Sequence, residues 1–162
     1  MKHQINSFKV AFQGIWYTIK SESHMRFHIT AGFYVILLSF FYNLSKEQWA
    51  IVILLIASIM VAEIFNTCLE QLCNLSTQSY DPIAKIAKDI AAGAVLALSF
   101  AAIVIGFLFY FNLAVIKSIL LFLIANPLIL VLFVLSIIIS VLFVGFGPMG
   151  ARRLYHKFKA KK

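Results

Sequence analysis

The sequence predicts an all-α integral membrane protein: an N-terminal amphipathic interfacial helix, three transmembrane helices and an extra C-terminal fourth span. Three observations carry this. Hydrophobic residues make up 62% of the 162 residues and charged residues 12%, where water-soluble domains have about 45–50% and about 25%. The mean hydropathy is +0.95, and a chain this small cannot bury so much apolar surface in one core. The apolar residues fall into runs of near-spanning length, and the Lys and Arg residues crowd into alternate connections between them. A soluble monomer, a disordered chain and a disulfide-framed secreted domain are all excluded. Cys68 and Cys73 stand at i, i+5, which fits neither a redox CxxC motif nor a zinc site.

The elements follow in order. Over residues 5–26, Phe8, Ala11, Phe12, Ile15, Trp16 and Ile19 recur at helical spacing, with Lys2, Asn6, Lys9, Gln13 and Lys20 around them. This pattern suits a helix lying in the membrane interface. Four candidate spans come next: Phe27 to Tyr42, which is short; Trp49 to Leu69; Ile90 to Phe111; and a stretch within Ser118–Phe146, 29 residues without a formal charge. A crossing needs about 20 apolar residues. Asn126-Pro127 either kinks the fourth span or marks its start. The chain divides at about residue 112, into 1–112 and an additional hydrophobic span with a basic tail over 113–162.

Of the fourteen Lys and Arg residues, twelve fall in the N-terminal segment, the connection holding Lys85 and Lys88, and the tail from Arg152 to Lys162. Only Lys46 and Lys117 fall between the other span ends. Four spans put the rich segments on one side, which the positive-inside rule makes cytoplasmic. The net charge of +8 then answers anionic lipid headgroups, and no nucleic-acid partner is expected.

Ionisable groups within apolar spans mark functional sites. Glu63 lies fourteen residues past Trp49, or about 21 Å along a helix and about 9 Å short of the inner interface. Glu63, Asn66 and Glu70 stand at i, i+3 and i+7 and share one helix face; Thr67 and Asn74 extend the stripe. Two carboxylates with two carboxamides suit a hard cation, although a polar seam between helices has the same composition. Glu22 and Arg26 precede the first span; Lys85, Lys88 and Asp89 precede the third, where Lys85 reads as an interfacial anchor. Ala91, Ala92, Gly93, Ala94 and Ala97 permit close helix approach. His24 and His28 have the i, i+4 spacing of a metal pair but lack a third ligand. No phosphate-binding loop, kinase glycine loop or nucleophile elbow is present.

The segments AEIFNTCLE (62–70) and AKIAKDIAAGAV (84–95) resemble the bacterial diacylglycerol kinase family of integral membrane lipid kinases, whose pattern is E-x-x-N-[ST]-x-x-E, then A-K-D and a small-residue run. The arrangement Glu22, Arg26, His28 resembles its undecaprenol kinase branch, and the likeness covers about residues 5–112. It implies a homotrimer in the bacterial inner membrane with shared active sites facing the cytoplasm. There, Mg²⁺ and ATP would serve to phosphorylate the hydroxyl of a membrane lipid alcohol, with undecaprenol favoured over diacylglycerol, both of which carry a primary hydroxyl. By position, Glu63 resembles the general base, Glu22 and Glu70 the metal-binding and ATP-binding acids, and Lys88 and Asp89 further ATP-binding residues. Asn66 resembles a positioning residue, and Arg26 is grouped with it as a positioning or substrate residue. Asn74 stands where the family has Asp and Asp81 where it has His, and the fourth span is extra; no lipid-phosphatase Arg and His motif accompanies it. Two other classes compete: a non-enzymatic ion or proton conduit using Glu63, and an inactive kinase-like scaffold.

Overall fold

A computed structural model describes the backbone of residues 2–76 and 80–159 and the side chains of residues 4–76 and 80–148. The basic side chains from Arg152 to Lys162 and that of Lys2 lie outside the described residues. Every described element is helical: α1 (Lys2–Ser21), α2 (Ser23–Ser39), α3 (Lys46–Ser76), α4 (Pro82–Tyr110), α5 (Leu113–Ala125) and α6 (Pro127–Lys159). The accessible surface is 12344 Å², against about 8,100 Å² for a compact soluble protein of this mass. The excess is apolar and needs a nonaqueous solvent.

Local chemistry sets the helix starts. Ser45 and Gln48 form a reciprocal capping box at α3, Gln48 N–H donating to Ser45 Oγ and Ser45 N–H to Gln48 Oε1. Asp81 caps α4 by accepting from the Ile83 and Ala84 amides, with Pro82 in the first turn. Asn112 caps α5 in the same way through Ala114 and Val115.

Two boundaries differ from the expected ones. The amphipathic stretch over 5–26 is not one helix: Glu22 is extended (φ −102°, ψ 123°), so α1 turns into α2 there and Ser23–Arg26 belong to α2. No Gly or Pro announces this corner. The apolar run from Ser118 is also broken. Its first turns belong to α5, and Asn126-Pro127 is the true start of α6.

Among the described residues three helices are long and apolar enough to cross a membrane: α3, α4 and the Pro127–Pro148 part of α6. At 17 residues, α2 is shorter. It is packed between α3 and α6. Tyr34 Oη lies 3.0 Å from both Ser136 Oγ and Ser140 Oγ, and Arg26 reaches Val144, so α6 runs antiparallel to α2. The α2–α3 turn is closed by Tyr42, whose hydroxyl donates to the Tyr110 carbonyl at 2.7 Å, and by Ser39 bonded to the Tyr110 hydroxyl. The end of α4 and the start of α6 thus lie at the same end of the bundle. Between them α5, about 20 Å long, begins and ends at that level, with Phe122 against Phe41 of the turn. On α1 the faces of Phe8, Phe12 and Trp16 stay exposed, as an interfacial helix requires.

Candidate functional site

The polar stripe on α3 is buried over its first part, while Glu70 is half-buried and Asn74 exposed. Glu63 is 3% exposed, Thr67 3% and Asn66 9%. Burying these groups among apolar helices is costly unless each finds a partner. Thr67 does, donating from Oγ1 to the Glu63 carbonyl at 2.9 Å. Glu63 Oε1 meets His28 Nε2 of α2 at 3.4 Å, the separation of an ion pair rather than a tight hydrogen bond. Glu63 Oε2 and Asn66 Oδ1 have no partner among the described residues. Unpaired buried acceptors are rare and call for an explanation; two of them one turn apart on one face make an acceptor pair open to a donor.

An apolar cavity of about 380 Å³ opens between α2, α3 and α4; neither Glu63 nor Asn66 lines it, and it reaches Glu63 only through His28. His28 lines it at the Glu63 end and Tyr110 at the other, with Gly32, Val52, Ile59 and Gly106 among the residues between. Its few other polar groups are committed: Ser99 donates to Val95 and Tyr110 is bonded to Ser39. An occupant of this cavity would therefore be a hydrocarbon with its polar end at His28, the partner of Glu63.

The remaining candidates lie nearer the Glu22 end of the bundle. Glu22 occupies the cap position of α2 but makes no capping bond, so its carboxylate is left for another partner. Glu70 lies two turns beyond Glu63 on α3 and is half-buried. Lys88 Nζ donates to Asn74 Oδ1 at 2.7 Å and ties the start of α4 to the end of α3. Asp89 pairs with Lys85 at 3.5 Å on the exposed face, a contact worth little by itself. Among the described residues no group of three or more His, Cys, Asp or Glu side chains gathers around a metal position. His24 is exposed and does not join His28, which faces Glu63. Glu22 and Glu70 do fit Mg²⁺ in kind: they are oxygen donors, and this ion is commonly held by one or two carboxylates together with substrate phosphates and water.

Arg26 is 5% exposed and bound to backbone on two sides. Its Nε and Nη2 donate to the Val144 carbonyl at 3.1 and 3.0 Å, and its Nη1 to the Ile19 and Lys20 carbonyls at 3.0 and 3.2 Å. The contact between His28 and Glu63 and the cap made by Asp81 are additions to the expected site. The first joins two helices and leaves no local trace; the second was visible in the Asp-Pro pair.

The sequence profile of the prokaryotic diacylglycerol kinase family matches residues 9–110. The chain is 38% identical to an undecaprenol kinase of Bacillus subtilis (strain 168) over 104 residues, 64% of this chain and 85% of that protein. It is 38% identical to a diacylglycerol kinase of Synechocystis sp. over 101 residues, 62% of this chain and 58% of that one. No solved structure matches it significantly. The matched region ends with α4, and α5 and α6 lie beyond it.

Proposed function

The chain belongs to the prokaryotic diacylglycerol kinase family, and from that premise we propose that it transfers the γ-phosphoryl group of ATP to the hydroxyl of a membrane lipid alcohol, undecaprenol in preference to diacylglycerol. The observation that carries the reading is the buried Glu63 with Oε2 unpartnered, joined through His28 to a cavity lined by hydrocarbon. A lipid chain in that cavity puts its terminal hydroxyl at His28, next to Glu63. Glu63 then accepts the hydroxyl proton as the lipid oxygen bonds to the γ-phosphorus and ADP departs. His28 holds one carboxylate oxygen, and Asn66 offers an acceptor one turn away.

Phosphoryl transfer depends mainly on positioning and on neutralising phosphate charge. Magnesium bound with the nucleotide supplies that neutralisation, and Glu22 and Glu70 are the side chains that would hold it. Lys88 and Asp89, on the first turns of α4, serve the nucleotide; Lys88 is already oriented by Asn74, which here fills a bonding role. Two features favour a polyprenol. It carries no polar atom beyond its hydroxyl, as the cavity requires, whereas a diacylglycerol must also place two ester groups. The undecaprenol kinase is also the relative matched over most of its length.

In this reading α2, α3, α4 and α6 make four crossings, the Glu22 end of the bundle faces the cytoplasm of a bacterial inner membrane, and three copies share their active sites. The exposed apolar faces of α4 leave room for neighbouring copies. The test is ATP consumption by the purified chain in detergent with each lipid alcohol added. Undecaprenol should give the higher kcat/KM, with phosphorylated lipid as product. No ATP consumption with either alcohol would overturn the kinase reading and favour a conduit or an inactive scaffold.

A further inference from the structure

The family match ends at residue 110, yet α6 reaches back to the predicted active-site helix through one contact of unusual chemistry. Gly147 breaks α6 with φ 55° and ψ −178°, and Pro148 follows. In an unbroken helix the Val144 carbonyl would accept from the amide of residue 148, but proline has no N–H. The Val144 carbonyl is thus an orphan acceptor at the negative end of a helix dipole. Arg26 fills it with two donors of the guanidinium fork. The other side of the fork fills the Ile19 and Lys20 carbonyls, which belong to the last turn of α1 and lack helical donors for the same reason. One buried cation therefore closes two helix ends. Gly147 makes room for it: a Cβ there would stand 2.7 Å from Arg26 Cζ and 2.9 Å from Nε, closer than real contacts allow.

We propose that the Gly147–Pro148 break of α6 is a positioning element of the kinase site, acting through Arg26 on Glu22. Glu22 is the corner residue between α1 and α2. Arg26 sits one turn along α2 and grips the last turn of α1, so it fixes the corner from both sides. His28 is two residues further along the same helix. Anything that withdraws the Val144 carbonyl or pushes the guanidinium away loosens the corner and with it the direction of the Glu22 carboxylate. Arg26 is then a positioning residue rather than a substrate ligand, and α6 is an intrinsic part of the site.

This deepens the kinase reading, because it takes Glu22 as a magnesium-facing acid, and the test separates the two. The full chain is purified with Gly147→Ala, Arg26→Ala and both together, and melted without nucleotide or metal. Each single variant should lower Tm by about 3–6 °C. The drop due to Gly147→Ala should shrink by at least half when Arg26 is already Ala, because the crowded guanidinium is gone; only the backbone strain at positive φ persists. Additive drops would overturn the lock. The second readout is the magnesium concentration for half-maximal rate. With Gly147→Ala it should rise about fivefold or more, whereas a merely structural contact lowers the active fraction and leaves that midpoint in place; an unmoved midpoint overturns the positioning role. Pro148→Ala guards against misfolding of the bulkier variant. It adds a competing donor for Val144 without crowding Arg26, so both shifts should keep their direction at smaller size. A wild-type chain that consumes no ATP overturns the kinase reading and the role of Glu22 with it, while the melting experiment still decides whether Arg26 and Gly147 are coupled.

Discussion

Two long apolar helices, α3 and α6, use their few polar residues in opposite ways. On α3 the polar groups are concentrated in the second half and turned inward, where Glu63, Asn66 and Thr67 are buried and two acceptors remain unpaired. On α6 the polar groups are spread along one face at Ser136, Ser140 and the Val144 carbonyl, and each is answered by α2. A satisfied polar seam fastens helices; an unsatisfied one waits for a ligand. In lipid the two look alike by composition, and only the accounting of partners separates them.

The largest effect that sharpens this contrast falls on Glu63. Glu63→Gln preserves shape and removes the base. Turnover should fall by about 10²-fold or more, with nucleotide affinity and magnesium requirement nearly unchanged, measured by binding and initial rate on the same preparation. Turnover that survives would move Glu63 from the ligand-seeking class to the fastening one.

Next in size is Glu70→Gln. If Glu70 faces magnesium, losing its charge should raise the half-saturating magnesium concentration about tenfold. A flat magnesium titration would assign the carboxylate to packing at the end of α3.

The cavity gives a third test. A Cβ at Gly106 would meet nothing within 4 Å, and Gly106 lines the cavity. Gly106→Leu therefore extends into the cavity with its Cβ clear of neighbouring helices, and it improves helix propensity by about 1 kcal/mol. KM for the lipid should rise about tenfold while KM for ATP holds. Equal changes in both would mean that the lipid chain lies elsewhere.

Much of this was legible in the sequence, and what was not has a common cause. The i, i+3, i+7 spacing of Glu63, Asn66 and Glu70 is a one-helix property, so it placed the stripe on a shared face before any packing was known. The charge asymmetry likewise gathered the connections that the fold brings to one end. The corner at Glu22 escaped because no Gly or Pro marks it and apolar residues continue at helical spacing on both sides; tertiary contact through Arg26 holds the break. The partner of Arg26 lies 118 residues away, and His28 meets Glu63 across two helices. Such pairings have no period and no local composition. The extent of α6 was half legible: Asn126-Pro127 is an ordinary helix start, hidden inside a run of uncharged residues that reads as one span.

The smallest expected effect tests the fastening half of the comparison. Tyr34→Phe removes one hydroxyl and leaves the ring, which also packs edge-on against Phe133. Ser136 keeps its bond to the Phe133 carbonyl at 2.7 Å, while Ser140 loses the partner it has in the Tyr34 hydroxyl. Interhelical side-chain hydrogen bonds of this kind average about 0.6 kcal/mol in membranes, which for a chain of this size lowers Tm by about 1–2 °C. The kinetic constants should not move, because Tyr34 touches neither Glu63 nor the corner at Glu22. If Tyr34→Phe instead matched Arg26→Ala in its loss of Tm, the hydroxyl would be the main tie between α2 and α6. The guanidinium would then be a bystander at a break that α6 makes for its own reasons. A small loss confined to stability leaves Arg26 as the contact through which α6 reaches the site.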